Sequence, residues 1–305
     1  MRNSALWGIL ALVKNKRSGI IKENLIIFGR MVKFSHTVFA LPFALSAVIL
    51  AWPRHEITWW DVLFILTAMV GARSAAMGFN RIADAAIDSK NPRTAAREIP
   101  AGVVSKKRVA VLVLAFSIVF ILSAAMLSSL CLILSFPVLL FLFFYSYTKR
   151  FTRYCHMVLG LAISLAPAGA WFALTGSLSW SVVFLSLALM TYISGFDILY
   201  GCQDVDFDRN EGLCSIPAEL GVEKAMRLSS FLHILTILFL FLMHITYGMH
   251  QVFYIFLGVI TVLLIIEHLL VRPDNLEHLH IAFFHVNSVI SVVLLAGICI
   301  EALLR

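Results

Sequence analysis

Two stripes of acidic and polar side chains have the composition and periodicity of a reactive site. The first follows the spacing i, i+4 and i+8 and consists of Asn80, Asp84 and Asp88. The second follows the spacing i, i+3, i+7 and i+11 and consists of Asp197, Tyr200, Asp204 and Asp208. In an α-helix, these spacings place the side chains on one face. The sequence therefore predicts two helix faces that each present a row of oxygen atoms.

These oxygen-rich stripes are typical of a site for a hard divalent cation. Mg²⁺ prefers carboxylate oxygens and is usually held by one or two carboxylates together with the phosphates of a substrate. Several aspartates facing one another also repel, and a bound divalent ion removes that repulsion. The stripes thus predict a metal-bridged phosphate or diphosphate. The predicted metal ligands, which are also predicted catalytic residues, are Asp84, Asp88, Asp204 and Asp208.

Basic side chains near the stripes indicate an anionic ligand. One group follows the first stripe and comprises Lys90, Arg93 and Arg97. The other lies in the segment 147–153 and comprises Lys149, Arg150 and Arg153. Guanidinium and ammonium groups bind phosphate oxygens. We therefore expect these side chains to contact the phosphate oxygens that the metal leaves free.

A simpler interpretation treats each charge as the solvated end of a helix. We keep it for four acidic residues, Asp206, Glu211, Glu219 and Glu223. It fits the stripes poorly, because Asn80 and Asp197 lie inside otherwise apolar helices, where a carboxylate costs about 2.5 to 3.5 kcal/mol. A calcium-binding loop beginning at Asp204 is excluded, since its sixth position is Arg209 instead of glycine and its twelfth is Ser215 instead of glutamate.

The elements that must position these side chains are membrane helices. Of the 305 residues, 61% are hydrophobic and only 13% are charged, with a mean hydropathy of +0.93, which excludes a water-soluble globular protein. Nine mostly apolar runs are long enough to cross a bilayer core of about 30 Å. They lie near residues 36–53, 62–83, 109–127, 129–147, 156–175, 181–202, 228–247, 251–270 and 281–303. We therefore predict an all-α integral membrane protein with about nine transmembrane helices.

The apolar runs leave no room for a separate soluble domain, so we expect a single transmembrane domain over residues 25–305. Residues 1–24 contain a short apolar stretch followed by basic residues and no small-residue cleavage site. This pattern predicts a cytoplasmic or interfacial N-terminal segment. The five cysteines form no CxxC pair and no metal-finger spacing, and we interpret them as small core residues.

The basic residues predict the orientation in the membrane. With nine spans, the N-terminal segment and the loops after spans two, four, six and eight hold 20 of the 24 Lys and Arg residues. The positive-inside rule places these segments in the cytoplasm and the protein in the inner, or cytoplasmic, membrane. The net charge of +7 then reflects orientation, and nucleic acid is not an expected partner. The stripes lie in the two long loops of this face, after spans two and six.

One stripe follows span two and the other follows span six. In this arrangement the sequence resembles the UbiA superfamily of intramembrane aromatic prenyltransferases. The resemblance covers nearly the whole chain and includes the basic segment 147–153. It implies a helical bundle around a central cavity, where Mg²⁺, or Mn²⁺ in its place, bridges the aspartates to a polyprenyl diphosphate. It also implies transfer of the prenyl group to an aromatic ring. Asn80 and Tyr200 would orient ligands or donate hydrogen bonds to phosphate.

Two stretches, 33–43 and 91–100, are similar to 4-hydroxybenzoate polyprenyltransferases, especially to the branch often found in bacteria that make menaquinone by the futalosine route. The ubiquinone enzymes usually have Arg-Pro-Leu-Pro where this chain has Arg97-Glu98-Ile99-Pro100. The resemblance implies an aromatic acid acceptor, either 4-hydroxybenzoate or a related precursor of respiratory quinones. Prenylation of a naphthoate in menaquinone biosynthesis is the alternative.

An aromatic acid acceptor requires polar groups besides the diphosphate site. Asp197 is our candidate for activating the acceptor hydroxyl or taking the ring proton. Arg73, two turns before the first stripe, is a candidate partner for the acceptor carboxylate, although an ion pair with Asp197 or another side chain explains it equally well. We expect His36 and Asn287 to do no more than line the pocket, and His285 to be a polar group of the core.

A transporter of an anion or a divalent metal is the alternative from another functional class. Carboxylates at a cytoplasmic opening would suit such a role. Transporters, however, usually bind their substrates near the bilayer midplane, between inverted repeats. Here the stripes lie at one edge of the membrane and repeat in parallel, which favours the enzyme.

Overall fold

The computed structural model describes residues 40–271 and 285–305, together with Phe28, Gly29 and Met31. All regular secondary structure in these residues is helical. The prediction for residues 1–24 falls outside the described part of the chain, as do His36 and most of the stretch 33–43.

Seven of the described helices have the length and apolar composition of a membrane span. They are α2 (Trp59–Asp88), α3 (Lys106–Leu127), α4 (Ser129–Thr148), α5 (Cys155–Thr175), α6 (Trp180–Gly201), α9 (Val222–Tyr247) and α10 (Phe253–Leu270). Helical structure continues beyond α6 to Asn210. Two apolar helices are shorter, α1 (Leu41–Ala51) and α11 (Asn287–Leu303). Two short helices lie between α6 and α9, namely α7 (Val205–Asn210) and α8 (Ile216–Leu220). The all-helical membrane fold is confirmed, and the expected number of nine spans is approximate, because α1 and α11 have only 11 and 17 residues.

Helix α2 carries the first stripe from the membrane to its surface. It begins at a capping box, in which Thr58 Oγ1 accepts a hydrogen bond from the Asp61 backbone and Asp61 accepts one from the Thr58 backbone. Its 30 residues rise about 45 Å at 1.5 Å each, more than the bilayer core of about 30 Å. The last turns of α2, with the first stripe, therefore extend beyond the apolar layer. Pro92 disfavours helical dihedrals at Asn91 and prevents a longer helix.

Helix α6 is the central element of the bundle and carries the second stripe. It packs against α5 and α9, and its side chains Leu185, Leu189, Tyr192 and Ile193 have no exposed surface. A 3₁₀ turn, Cys202–Asp204, separates α6 from α7. The spacing of the second stripe predicted one continuous α-helix, but the helix is interrupted by this turn. Glycine at 201 and aspartate at 204 are weak helix formers, which accounts for the interruption.

The other half of the bundle depends on a close approach between α2 and α3, which pack along their length. At Gly71, a Cβ atom would lie 2.8 Å from the backbone nitrogen of Phe120. Only a residue without a side chain allows the two backbones to come this close. Helix α4 then packs on α2, α3 and α5, which brings its C-terminal end beside the first stripe.

Candidate active site

A polar cavity of about 190 Å³ lies where the ends of α2, α4 and α6 meet the beginning of α5. Both predicted stripes line it in full: Asn80, Asp84, Asp88, Asp197, Tyr200, Asp204 and Asp208. Of the predicted basic residues, the lining includes Arg93, Arg97 and Lys149. The two rows of oxygen atoms expected from the sequence therefore face one shared cavity.

The first stripe is held by two arginines from different parts of the chain. Asp84 accepts a hydrogen bond from Asn80 Nδ2 at 2.9 Å and another from Arg150 Nη2 at 2.9 Å. Asp88 accepts two from Arg97 Nη1, at 2.7 and 2.8 Å. Both carboxylates are buried, and each is thereby neutralised by a guanidinium group.

The second stripe is held by the loop that follows α2. The Arg93 guanidinium binds both carboxylate oxygens of Asp204, with Nε 2.9 Å from Oδ1. It also donates to the Tyr200 hydroxyl at 3.1 Å and lies over the Tyr200 ring. Asn91 Nδ2 donates to the same Asp204 oxygen at 3.0 Å. Burial lowers the pKa of Arg93, but the hydrogen bond and charge of Asp204 outweigh this and raise it, so Arg93 remains a cation.

Lys149 is a cationic group in the cavity that forms no ion pair within 4 Å in the described part of the chain. Its charge acts on Asp84, Asp204 and Asp208, which belong to both stripes. Its carbonyl oxygen accepts a hydrogen bond from the backbone of Cys214 at 2.8 Å, which fixes the loop after α4 against the segment after α7. The ammonium group is therefore placed between the stripes and available to an anion.

Asp197 has a partner that the sequence did not predict. Its Oδ2 lies 2.7 Å from Nδ1 of His156 in the first turn of α5. His156 is only 5% exposed, and its ring occupies the space beside Gly201, where a Cβ atom would lie 3.0 Å from Cε1. Unlike Asp84, Asp88 and Asp204, Asp197 thus pairs with an imidazole instead of a guanidinium group.

Four of the predicted binding residues are not among the lining residues of the cavity, namely Lys90, Arg150, Arg153 and Arg73. Arg153 pairs with Glu219 at 3.3 Å and lies over the Tyr154 ring, because the chain turns between Lys149 and Tyr154. Arg73 is also outside the lining residues. Its Nε is buried and has no hydrogen-bond partner in the described residues. The alternative interpretation was an ion pair of Arg73 with Asp197 or another side chain, and this part of the chain contains no such pair.

Two exposed ion pairs join separate segments of the chain near the cavity, and a third lies within one helix. Lys90, which follows the first stripe, pairs with Glu211 at the end of α7 at 2.6 Å. Glu219 pairs with Arg153, and Glu223 pairs with Arg227 on the same helix. These glutamates lie at solvated helix ends, as the simpler interpretation proposed for them. The Lys90–Glu211 pair connects the loops that carry the two stripes.

The donor atoms around the cavity suit a hard cation that also binds a ligand. The described residues contain no group of three His, Cys, Asp or Glu side chains that could hold a metal ion by themselves. The carboxylates on opposite walls of the cavity match the coordination of Mg²⁺ by one or two carboxylates, substrate phosphates and water. The residues present therefore fit a cation bridged by a phosphate ligand better than a closed structural metal site.

The lining residues that were not singled out as site residues from the sequence include Arg81, Asn91, Tyr145 and His156. Arg81 follows Asn80 and donates to the Met31 carbonyl at 3.3 Å. Asn91 precedes Pro92 in the loop that crosses the cavity. An arginine within an otherwise apolar run of the sequence is itself a signal of function. The contacts of Tyr145 and His156 depend on how α4 and α5 face α6, which local spacing does not encode.

Comparisons with known proteins agree with this fold. The model of the UbiA prenyltransferase family matches residues 40–289. The 4-hydroxybenzoate octaprenyltransferase of Vibrio campbellii is 29% identical over 242 residues, covering 79% of this chain and 84% of that protein. A UbiA homolog from Aeropyrum pernix K1 is 31% identical, with a TM-score of 0.78 over 87% of this chain and 98% of that chain. A UbiA homolog from Archaeoglobus fulgidus, solved with GPP and Mg²⁺, shares the fold with a TM-score of 0.65 at 16% identity, over 90% and 99% of the two chains.

Proposed function

This chain belongs to the UbiA prenyltransferase family and is a prenyltransferase, and we propose that it transfers a polyprenyl group from a polyprenyl diphosphate to 4-hydroxybenzoate or a related aromatic precursor of respiratory quinones. One observation carries the proposal: two carboxylate stripes and several cations line one cavity at the end of the membrane helices. A polyprenyl diphosphate has a charged head group that binds metal and a long apolar tail. These two parts fit the polar cavity and the apolar membrane helices that meet there.

The diphosphate is proposed to lie between the stripes. Lys149, Arg93 and Arg97 line the cavity, and Arg150 reaches Asp84 from its edge. Guanidinium groups now paired with carboxylates can bind phosphate oxygens when a cation takes over the carboxylates. Asn80 and Tyr200 are neutral and already hydrogen-bonded within the stripes, which suits them to orient ligands. Arg153, which pairs with Glu219, has no part in this proposal.

Asp84, Asp88, Asp204 and Asp208 are the residues proposed to hold Mg²⁺, with Mn²⁺ as a substitute. When bound, the cation would neutralise charge on the departing diphosphate as the allylic C–O bond breaks. The Archaeoglobus fulgidus homolog solved with GPP and Mg²⁺ supports this choice of ion and ligand class. The chain's own cations act on the same negative charge.

The aromatic acceptor is proposed to lie on the membrane side of the diphosphate. Asp197 faces the cavity and is proposed to bind the acceptor hydroxyl or take the ring proton. Arg73 is proposed to bind the acceptor carboxylate, since its buried Nε lacks a partner in the described residues. It lies seven residues before Asn80 on α2, nearly on the same helix face. The surrounding apolar helices exclude the water that would otherwise capture an allylic cation.

The proposed location is the inner membrane, with the N terminus and the loops that carry the stripes in the cytoplasm. The distribution of Lys and Arg supports this orientation. Membership in a prenyltransferase family leaves the transporter alternative without an observation in its favour. A naphthoate remains the alternative acceptor, because it presents the same carboxylate and a nucleophilic ring carbon.

An acceptor screen tests the proposed reaction. Membranes containing the protein receive a labelled polyprenyl diphosphate, Mg²⁺, and either 4-hydroxybenzoate or a hydroxynaphthoate, and lipid-soluble aromatic product is measured. We expect product with at least one acceptor, and none with excess chelator until Mg²⁺ or Mn²⁺ is restored. Undiminished product in chelator would refute the metal assignment, and absence of product with every aromatic acid would refute the acceptor class.

A further inference from the structure

The pair formed by His156 and Asp197 differs from every other carboxylate contact in the cavity. His156 lies in the first turn of α5, Asp197 lies one turn before the end of α6, and both line the cavity. Their 2.7 Å contact joins two helices that pack along their length. The side chain of His156 is 6% exposed and that of Asp197 is 25% exposed. The histidine is therefore the buried support, and the carboxylate is the group open to a ligand.

The packing around the imidazole fixes its orientation. Gly201 leaves the space in which the His156 ring lies, since an added Cβ atom would approach Cε1 to 3.0 Å. Nδ1 faces the carboxylate and donates its hydrogen, while Nε2 is buried without a partner in the described residues. A carboxylate held by one N–H through a fixed ring keeps its second oxygen free and oriented.

Asp197 is also suited to a different task from Asp84, Asp88 and Asp204. Each of those carboxylates is bound by an arginine, a side chain that is effectively always charged. Asp197 has no arginine within 4 Å in the described chain, and it lies near the Tyr145 side chain. Its carboxylate is therefore not occupied by a guanidinium group, unlike the carboxylates of the arginine-bound aspartates, which are proposed to face the diphosphate.

We propose that His156 is a positioning residue that holds Asp197 as the acceptor of the ring proton, an inference that rests on the proposed function. In this step the allylic C–O bond breaks and its electron pair leaves with the diphosphate. The ring carbon beside the hydroxyl forms the new C–C bond. The C–H electrons at that carbon then return to the ring, and the proton passes to the free oxygen of Asp197. His156 Nδ1 holds the other oxygen throughout.

An isotope effect separates this role from a structural one. The acceptor is 4-hydroxybenzoate deuterated at both ring positions beside the hydroxyl, compared with the unlabelled acid. In the unaltered protein we expect an isotope effect near unity, because loss of the proton follows slower steps. His156→Phe keeps a planar ring without the N–H, and we expect kcat to fall roughly tenfold to a hundredfold with a clear primary isotope effect. The KM for the polyprenyl diphosphate should stay unchanged.

A conservative variant and a second product provide the controls. His156→Asn places an amide N–H near the position of Nδ1 and should restore much of kcat and reduce the isotope effect. Because His156→Phe leaves the diphosphate side intact, Mg²⁺-dependent cleavage to diphosphate and prenyl alcohol should persist. Asp197→Asn removes the proton acceptor and should show the same isotope effect, so it tests the inference even if His156→Phe does not fold.

The outcomes distinguish failure of this inference from failure of the proposed function. If the unaltered protein forms no aromatic product, the proposed function is wrong. If it forms product and the His156 and Asp197 variants lose activity without any isotope effect, the inference alone is overturned. Equal loss of diphosphate cleavage and aromatic transfer in His156→Phe would assign His156 to the diphosphate side and would likewise overturn it.

Discussion

Arginine side chains form ion pairs with three of the carboxylates that are proposed to bind the metal. Arg150, Arg97 and Arg93 bind Asp84, Asp88 and Asp204, respectively. A divalent ion must compete with these guanidinium groups, whereas a diphosphate offers them new partners. Metal and diphosphate should therefore bind with positive coupling, each making the other's binding more favourable.

Replacement of a stripe aspartate should abolish turnover. We expect Asp84→Ala or Asp204→Ala to reduce product formation at least a hundredfold, since each removes charge stabilisation where the diphosphate departs. Asp206→Ala is the matched control, because Asp206 is exposed and lies outside the cavity lining. Substantial activity in folded Asp204→Ala protein, or equal loss in Asp206→Ala, would show that the stripes are solvated helix ends.

Removal of Arg93 should strengthen metal binding in the absence of diphosphate. Asp204 would lose its competing guanidinium, and we expect Mn²⁺ alone to bind about tenfold tighter to Arg93→Ala, equivalent to about 1.4 kcal/mol. Titration followed by electron paramagnetic resonance of free Mn²⁺ measures this directly. Arg153→Ala, whose ion pair with Glu219 lies away from the cavity, is the control. Unchanged or weaker binding in Arg93→Ala would contradict the competition.

Residue spacing predicted the two stripes because helical periodicity is a local property. The same reasoning placed Arg153 with Lys149 and Arg150, but the chain turns after Thr148, and three neighbouring cations consequently point in different directions. His156 could not be assigned from spacing, since its contact with Asp197 depends on the relative rotation of α5 and α6. Local sequence thus encodes which side chains share a face, and packing between helices decides what that face meets.

The helices position the stripes through close backbone contacts. Gly71 permits the approach of α2 to α3, and α2 in turn carries Asn80, Asp84 and Asp88 to the cavity. The helix boundaries follow from apolar length, capping and Pro92, all of which are visible in the sequence. The 3₁₀ turn before Val205 was not predicted, because the spacing of the second stripe is that of a regular helix and was given more weight than the weak helix formers beside it.

Substitution of Gly71 should disrupt the bundle. We expect Gly71→Ala to destabilise the folded protein by about 1–3 kcal/mol, the usual cost of overpacking, since its Cβ would meet backbone of α3 instead of a flexible side chain. Gly169→Ala is the control, because a Cβ there meets nothing within 4 Å and alanine favours the helix by about 0.5–1 kcal/mol. Thermal unfolding in detergent measures both. Equal melting temperatures for the two variants would contradict the packing argument.

At the scale of the whole molecule, the side of the membrane that the cavity faces determines which substrates reach it. Short connections lie at the opposite end of the bundle, including the segment between α5 and α6. In the described part of the chain, the end with the cavity holds the long loops and most of the basic residues. In the proposed orientation, an aromatic acid would enter the cavity from the cytoplasm, while the polyprenyl tail would stay in the lipid.

Thiol labelling tests this orientation. In a variant without native cysteines, we expect Ser177→Cys to react with a membrane-impermeant maleimide in intact spheroplasts. Lys107→Cys should react only after the membrane is opened. Both positions are exposed, so a difference reports the side of the membrane. The reverse pattern would overturn the proposed orientation.

The central claim is that two opposed carboxylate stripes hold a divalent cation against a diphosphate. The most direct measurement is Mn²⁺ binding to the purified protein with and without an uncleavable polyprenyl diphosphate analogue. We expect the analogue to strengthen Mn²⁺ binding strongly in the unaltered protein, and we expect this coupling to be lost in both Asp84→Asn and Asp204→Asn. Coupling that persists in either variant, or is absent from the unaltered protein, would contradict a metal site shared by the two stripes.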